Sequence, residues 1–229
     1  MINDPKIIIL SLVAGVIPSL IWLWFWLKED EQKPEPKGLI ATIFILGMAG
    51  VILVIPLQKF IQTNVSSNEW QIVLWATLEE IIKYLAVVIL LYKSGKIDEP
   101  VDWPIFLITS ALGFAALENA LFLAKPISLN QTVSGILTGQ LRFLGSTLLH
   151  TVSSGTLGIS LGLAFNLEKI FKKIHLFVGL VLAVLLHSAF NFFIINTNGD
   201  NLVKVFGFLW IATVVIILLF EKLRRMGEN

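Results

Sequence analysis

The sequence predicts an all-α protein, a polytopic membrane bundle of about seven transmembrane helices with its N-terminus outside and its C-terminus cytoplasmic. Composition is the first observation: 56% of the 229 residues are hydrophobic and 14% are charged, against about 45–50% and about 25% in soluble domains. The second is that stretches of about 20 apolar residues, enough to cross a bilayer as a helix, recur along the chain. These observations exclude a soluble domain and a disordered chain.

Charge and cysteine content exclude further classes of function. The net charge of +1 provides no basic surface for nucleic acid, so none is expected as a partner. With no cysteine, disulfides, thiolate metal sites and a cysteine nucleophile are excluded.

Seven segments are long and apolar enough to span the membrane, and charged or helix-breaking residues separate them. The first lacks the basic start and the small-residue cleavage site of a signal peptide, so we expect it to remain as a span. Before the fifth, the chain from about Thr132 is too long for one straight span, and the helix is expected to begin near Leu141. The segments are Ile7–Leu27, Gly38–Phe60, Trp70–Tyr92, Trp103–Ala124, Leu141–Leu167, Leu176–Asn196 and Leu202–Phe220.

The distribution of Lys and Arg predicts the orientation. Eleven of them lie in the loops after spans one, three and five and in the C-terminal tail, whereas four lie on the opposite side. Because the cytoplasmic side carries the excess of positive charge, the C-terminus is predicted to be cytoplasmic.

Five ionisable residues lie well inside the predicted spans, where a charge costs about 2.5–3.5 kcal/mol on insertion scales. They are Glu79, Glu80, Glu118, His150 and His187. Residues that are this costly to bury normally belong to a functional interior site.

The depths of these residues agree. At about 1.5 Å per helical residue, Glu79 lies about 15 Å and Glu118 about 9 Å from the outer ends of their spans. The same rise places His150 about 12 Å from Arg142 and His187 about 13 Å from the outer end of span six. We therefore expect one site in the outer half of the membrane.

Local spacing suggests what the site does. Lys83 follows Glu79 by four residues and Glu80 by three, so its ammonium can reach either carboxylate. The adjacent glutamates diverge by about 100° around the helix, which indicates different roles. Asn191 lies one turn after His187, on the same face. Burial and a nearby lysine can keep one carboxylate ionised beside a protonated one, as acid–base hydrolysis requires.

These residues form motifs that come in a fixed order, one in each predicted span from three to six. They are Glu79-Glu80-x-x-Lys83, Phe114-x-x-x-Glu118-Asn119, a lone His150 and His187-x-x-x-Asn191. Together they resemble the PrsW family of intramembrane proteases, within the superfamily of CAAX prenyl proteases and bacteriocin-processing enzymes. The resemblance covers about Trp70–Asn196, the motif-bearing core of what we expect to be one transmembrane protease domain, residues 1–229.

Two departures from the CAAX-type pattern favour the PrsW branch. Position 84 is Tyr84 where EExxxR has arginine, and Glu118 replaces the histidine of FxxxH. The resemblance implies a multi-pass protein of a prokaryotic plasma membrane. It also implies cleavage of a membrane-anchored protein, such as an anti-sigma factor, near the outer face.

The mechanism expected from this resemblance is peptide-bond hydrolysis by an activated water. Glu79 is the expected general base, Glu80 tunes it and Lys83 orients the pair. In a version with metal, the O/N ligand set of a catalytic zinc ion is Glu118, His150 and His187.

Other mechanisms and other classes of function stay open at this point. With zinc, Asn191 orients His187 or holds the substrate carbonyl. Without a metal, Glu79 and Glu118 handle the water while His187 and Asn191 stabilise the oxyanion. The other classes are a proton-coupled transporter, which would use the same acids and histidines as a relay, and a non-catalytic membrane scaffold with the same fold.

Overall fold

The structure is a computed structural model that describes residues 4–30, 33–91, 95–129, 145–196 and 202–227. Within these ranges the chain forms seven α-helices and no strand. The helices are α1 (Pro5–Glu29), α2 (Lys37–Asn64), α3 (Asn68–Leu91), α4 (Asp102–Ser128), α5 (Thr147–Leu163), α6 (Lys169–Asn196) and α7 (Leu202–Gly227).

Helix α4 is the centre of the bundle, and its first half is almost wholly buried. Helices α1, α2 and α5 pack against it through glycines, namely Gly15, Gly47 and Gly158. A Cβ atom at Gly47 would meet the carbonyl oxygen of Ser110, and one at Gly158 would meet the backbone of Pro104. Small residues at these contacts let the helix backbones approach closely, as in other membrane bundles.

Five of the seven described helices, α1, α2, α4, α6 and α7, are long and apolar enough to cross a membrane. Large apolar side chains on them face outward, for example Ile9, Ile52 and Phe177 at 61%, 65% and 69% exposure. The other two helices are α3, which carries Glu79, Glu80 and Lys83 of the predicted site, and α5, which has 17 residues. The all-α, multi-pass prediction is confirmed, whereas the count of seven spans and the orientation stay predictions.

Most helices extend beyond the apolar segments that predict them. Helix α6 begins at Lys169 and not at Leu176, and the Ser160 hydroxyl donates to the carbonyl of His175 inside this extension. A helix can continue past its apolar part wherever its lysines reach water. The expected start of span five at Leu141, together with Arg142, lies outside the described residues.

Candidate active site

Helices α2 to α7 surround a cavity of about 650 Å³. Most of its wall is apolar, with Val54, Phe114 and Phe190 among the side chains that form it. The polar side chains that reach it are Gln58, Glu79, Glu118, Ser146, His150, His187 and Asn191. A few polar groups in an apolar cavity are typical of a binding or active site.

The two adjacent glutamates of α3 face different neighbours, as their angular separation predicts. Glu79 lines the cavity and contacts α2, whereas Glu80 is turned toward α5 and α6. Both are buried, at 4% and 1% exposure, and Lys83 is fully buried.

Three donors surround the carboxylate of Glu80. Its Oε1 accepts hydrogen bonds from Lys83 Nζ at 2.7 Å and from His187 Nδ1 at 2.8 Å. Its Oε2 accepts one from Ser154 Oγ at 2.7 Å. A buried carboxylate is tolerated when it is paired and hydrogen-bonded in this way. Glu80 therefore joins α3 to α5 and α6.

His150 joins Lys83 to Glu118. Its Nδ1 lies 2.8 Å from Lys83 Nζ, and its Nε2 lies 3.2 Å from Glu118 Oε2. An ammonium only donates and a carboxylate only accepts, so these partners assign the ring hydrogen to Nε2. Ser146 Oγ donates to the same Glu118 oxygen at 3.3 Å.

Only one of the two oxygens of the Glu79 carboxylate has a hydrogen bond within the described residues. Its Oε1 accepts from Gln58 Nε2 at 2.9 Å, but its Oε2 is buried and has no hydrogen bond to any residue that the structure describes. Three side-chain nitrogens of lysine and histidine lie within 4.0 Å of Oε2 in the described part of the chain: His187 Nε2 at 3.6 Å, Lys83 Nζ at 3.9 Å and His150 Nδ1 at 4.0 Å. These distances exceed those of hydrogen bonds. An unsatisfied buried oxygen that faces several nitrogens is suited to a further ligand.

The donor set around this oxygen fits a metal ion. Glu79, His150 and His187 each offer one ligand atom, and the three atoms lie within 4.8 Å of one another. One carboxylate and two imidazoles are ligands of catalytic zinc. His187 donates its Nδ1 hydrogen to Glu80, so Nε2 of the same ring keeps a lone pair that can bind an ion. This is the usual arrangement of a metal-binding histidine.

The predicted ligand set names Glu118, whereas the structure groups Glu79 with the two histidines. The reason is geometric, because Glu118 contacts Nε2 of His150 while Glu79 lies on the Nδ1 side. Nδ1 of His150 already accepts from Lys83, so binding an ion at that atom replaces this hydrogen bond.

The two asparagines of the motifs have different surroundings. Asn191 lines the cavity one turn from His187. Asn119 donates to Thr147 at 2.8 Å and so joins α4 to α5. Sequence reasoning missed Gln58, whose one signal is an amide inside the predicted second span, two residues after Pro56.

Comparisons with known proteins give one consistent result. The family described as "PrsW family intramembrane metalloprotease" matches residues 35–220. Protease PrsW of Oceanobacillus iheyensis is 30% identical over 95% of this chain and 96% of the relative. Protease PrsW of Geobacillus kaustophilus is 30% identical over 80% and 78%, and that of Shouchella clausii 26% over 93% and 96%. No solved structure matches the chain.

Proposed function

This chain belongs to the PrsW family, and it is a protease and a multi-pass protein of the prokaryotic plasma membrane. From that premise we propose that it is an intramembrane endopeptidase that cleaves a membrane-anchored protein near the outer membrane face. The observation that carries the proposal is the buried Glu79 oxygen, which faces His150 and His187 at the wall of an apolar cavity.

The proposal includes the topology. All seven helices cross the membrane, the N-terminus is outside, and residues 1–229 form one protease domain. The eleven-to-four distribution of Lys and Arg supports this orientation. It puts the cavity in the outer half of the bilayer.

A zinc ion fits the site, held by Glu79, His150 and His187. When bound, it would act as a Lewis acid toward the peptide carbonyl and make water a better nucleophile at neutral pH. Glu80 holds His187 so that its Nε2 faces the Glu79 oxygen. Lys83 supplies the positive charge that Glu80 needs.

Two assignments of the carboxylates follow. In the first, Glu79 binds the ion and Glu118, at the cavity wall beside His150, takes the proton from the attacking water. In the second, Glu118 is the ligand and Glu79 is the general base. Without a metal, Glu79 and Glu118 activate the water between them, and Asn191 stabilises the oxyanion. His187 can join Asn191 in this role only when its ring also carries a hydrogen on Nε2, because Nδ1 donates to Glu80.

The cavity also indicates the class of substrate. Its apolar wall suits an extended segment of a membrane-anchored protein, of which an anti-sigma factor is one example. Because the Asn191 amide lines this cavity one turn from His187, we assign it to the substrate carbonyl.

The test compares membrane proteins from cells that carry wild-type protein or Glu79→Gln. We expect Glu79→Gln to accumulate an uncut membrane-anchored protein that wild type converts to a shorter form. The matched control is Glu69→Gln, the same change on α3 at an exposed residue whose partner is Ser67.

Identical profiles for wild type and Glu79→Gln would contradict the protease proposal and favour a non-catalytic scaffold. A transporter predicts instead that purified protein moves protons across proteoliposomes and that Glu79→Gln stops this flux.

A further inference from the structure

Gln58 lies on α2, outside the four motifs, and contacts the reactive carboxylate directly. Its Nε2 donates to Glu79 Oε1 at 2.9 Å, the one hydrogen bond that Glu79 makes with its side chain in the described part of the chain. An amide nitrogen is the half of Gln58 that can face a carboxylate, because a carboxylate only accepts.

The main chain of Gln58 is held in place as well. Trp75 Nε1 donates to the carbonyl oxygen of Gln58 at 3.2 Å. Trp75 and Glu79 are one turn apart on α3, so the two hydrogen bonds join the same face of α3 to a single residue of α2. The amide therefore meets Glu79 from a fixed direction.

This contact determines which oxygen of Glu79 is free. With Oε1 held by Gln58, Oε2 is the oxygen that faces His187 Nε2 at 3.6 Å and His150 Nδ1 at 4.0 Å. Without the amide, rotation of the carboxylate could bring either oxygen to the histidines, and neither would be held. The chemistry that we assign to Glu79, as base or as ligand, needs one oxygen at a fixed position.

We propose that Gln58 is a positioning residue that orients the Glu79 carboxylate toward His150 and His187, an inference that rests on the proposed function. Hydrogen bonds to residues that bind a metal or react typically change metal affinity or activity by about 10–100-fold when removed. A glutamine that only joined two helices would have no such effect.

The chain offers a matched control for this distinction. Gln71 on α3 donates its Nε2 to the carbonyl of Val65 at 2.7 Å, and it is part-buried as Gln58 is. Gln58→Met and Gln71→Met both keep a long unbranched side chain and remove one amide donor. They differ in whether the lost partner is Glu79.

The experiment uses purified protein in detergent and takes as substrate the membrane-anchored protein that accumulates uncut in the Glu79→Gln cells. It measures kcat, KM and zinc affinity. We expect Gln58→Met to lower kcat by about 10–100-fold and to weaken zinc binding by a similar factor, with little change in KM. Gln71→Met should change none of these. Gln58→Leu serves as the second variant if Gln58→Met does not fold, with Gln71→Leu as its control.

The inference is overturned if Gln58→Met and Gln71→Met give the same kcat and zinc affinity. That result overturns it even when Glu79→Gln abolishes cleavage, because the carboxylate then acts without help from α2. A fully active Glu79→Gln protein would instead overturn the proposed function itself, so the two failures are distinguishable.

Discussion

His187 on α6 donates its Nδ1 hydrogen to Oε1 of Glu80 on α3 at 2.8 Å, which leaves its Nε2 lone pair 3.6 Å from Glu79 Oε2. The adjacent glutamates thus act on the two nitrogens of one ring. Glu80 fixes the tautomer and the orientation of the His187 ring, and Glu79 lies on the side of the ring where the Nε2 lone pair can bind a ligand.

We expect Glu80→Gln to destabilise the packing of α3 against α5 and α6. The change removes the charge that balances Lys83 and places an amide NH2 group among three donors. Breaking a buried ion pair costs about 3–5 kcal/mol, so we expect a large drop in thermal stability together with lost cleavage. Ser154→Ala removes one of the three hydrogen bonds to this buried carboxylate and leaves the ion pair intact, so it should cost less, about 1.5–3 kcal/mol. Equal stability of Glu80→Gln and wild type would contradict this role.

Glu79→Gln should behave in the opposite way. Its Oε2 is buried without a hydrogen bond to any described residue, so the change removes a buried charge that lacks a donor. The amide NH2 group that replaces this oxygen faces the lone pair of His187 Nε2, which can accept from it. We expect lost cleavage with a Tm equal to or above that of wild type, the pattern of a residue kept for function at a cost in stability. Thermal unfolding of both proteins in detergent measures the two Tm values. A strong loss of stability would show that Glu79 contributes to the fold.

Zinc binding should depend on His187 and not on His175. His187→Ala removes the free ring nitrogen that faces Glu79, and we expect zinc affinity to fall at least about 10-fold, with loss of cleavage. His175→Ala changes a half-buried histidine, remote from the site in the sequence, whose ring contacts the carbonyl of Phe171, and the variant should bind zinc as wild type does. A chelator should inhibit wild type and zinc should restore it. Activity that is unaffected by thorough chelation would favour the metal-free mechanism.

The sequence could predict the helices, and that the site residues lie at one level along them, because a bilayer limits both in one dimension. Span length follows from bilayer thickness, and depth follows from the rise per residue. These two quantities were sufficient to indicate that Glu79, Glu118, His150 and His187 meet, and the structure places them together.

The choice of partners could not be predicted in the same way. Whether Glu79 or Glu118 shares the Nδ1 side of His150 depends on how α3 and α4 are rotated about their axes. That rotation is determined by packing against other helices. The contact of Gln58 with Glu79 depends on the same packing, because α2 carries none of the motifs.

Close packing around α4 gives a prediction about stability alone. A Cβ atom at Gly47 would meet the carbonyl oxygen of Ser110, which cannot move without a shift of the backbone. We expect Gly47→Ala to lower stability by about 1–3 kcal/mol, the usual cost of overpacking. At Gly207 on α7, a Cβ atom would meet no described atom within 4 Å. Gly207→Ala should therefore be neutral or stabilising, because alanine favours a helix. Thermal unfolding measures the stability of both variants. Equal Tm values would show that the close contact at Gly47 does not limit stability.

Two acids between α1 and α2, Asp30 and Glu35, should make stability depend on pH. Asp30 follows α1 and is 3% exposed, and its Oδ2 has no hydrogen bond. Burial, with the charges of Asp102 and Glu99, raises the pKa of Asp30 to about 7, against the opposing effect of Lys33 and Arg224.

The sign follows from the raised pKa. The folded protein binds this proton more tightly than the unfolded chain, whose aspartate pKa is about 3.9. The contribution of Asp30 to stability is therefore fully present below about pH 4 and is lost as the pH rises through about 7. Glu35 adds to the same trend, because burial and the nearby Asp102 carboxylate raise its pKa to about 8.

We therefore expect the Tm of the wild type to fall between about pH 4 and about pH 8, and Asp30→Asn to be more stable than wild type at pH 8. A gain of 1 kcal/mol corresponds to about 2–4 °C for a chain of this size. Asp30→Asn should show a smaller pH dependence than wild type, namely the part that belongs to Glu35. The control, Glu168→Gln, changes an exposed acid before α6 and should leave the wild-type slope intact. An Asp30→Asn protein with the same slope and the same Tm at pH 8 would show that Asp30 is already ionised without penalty.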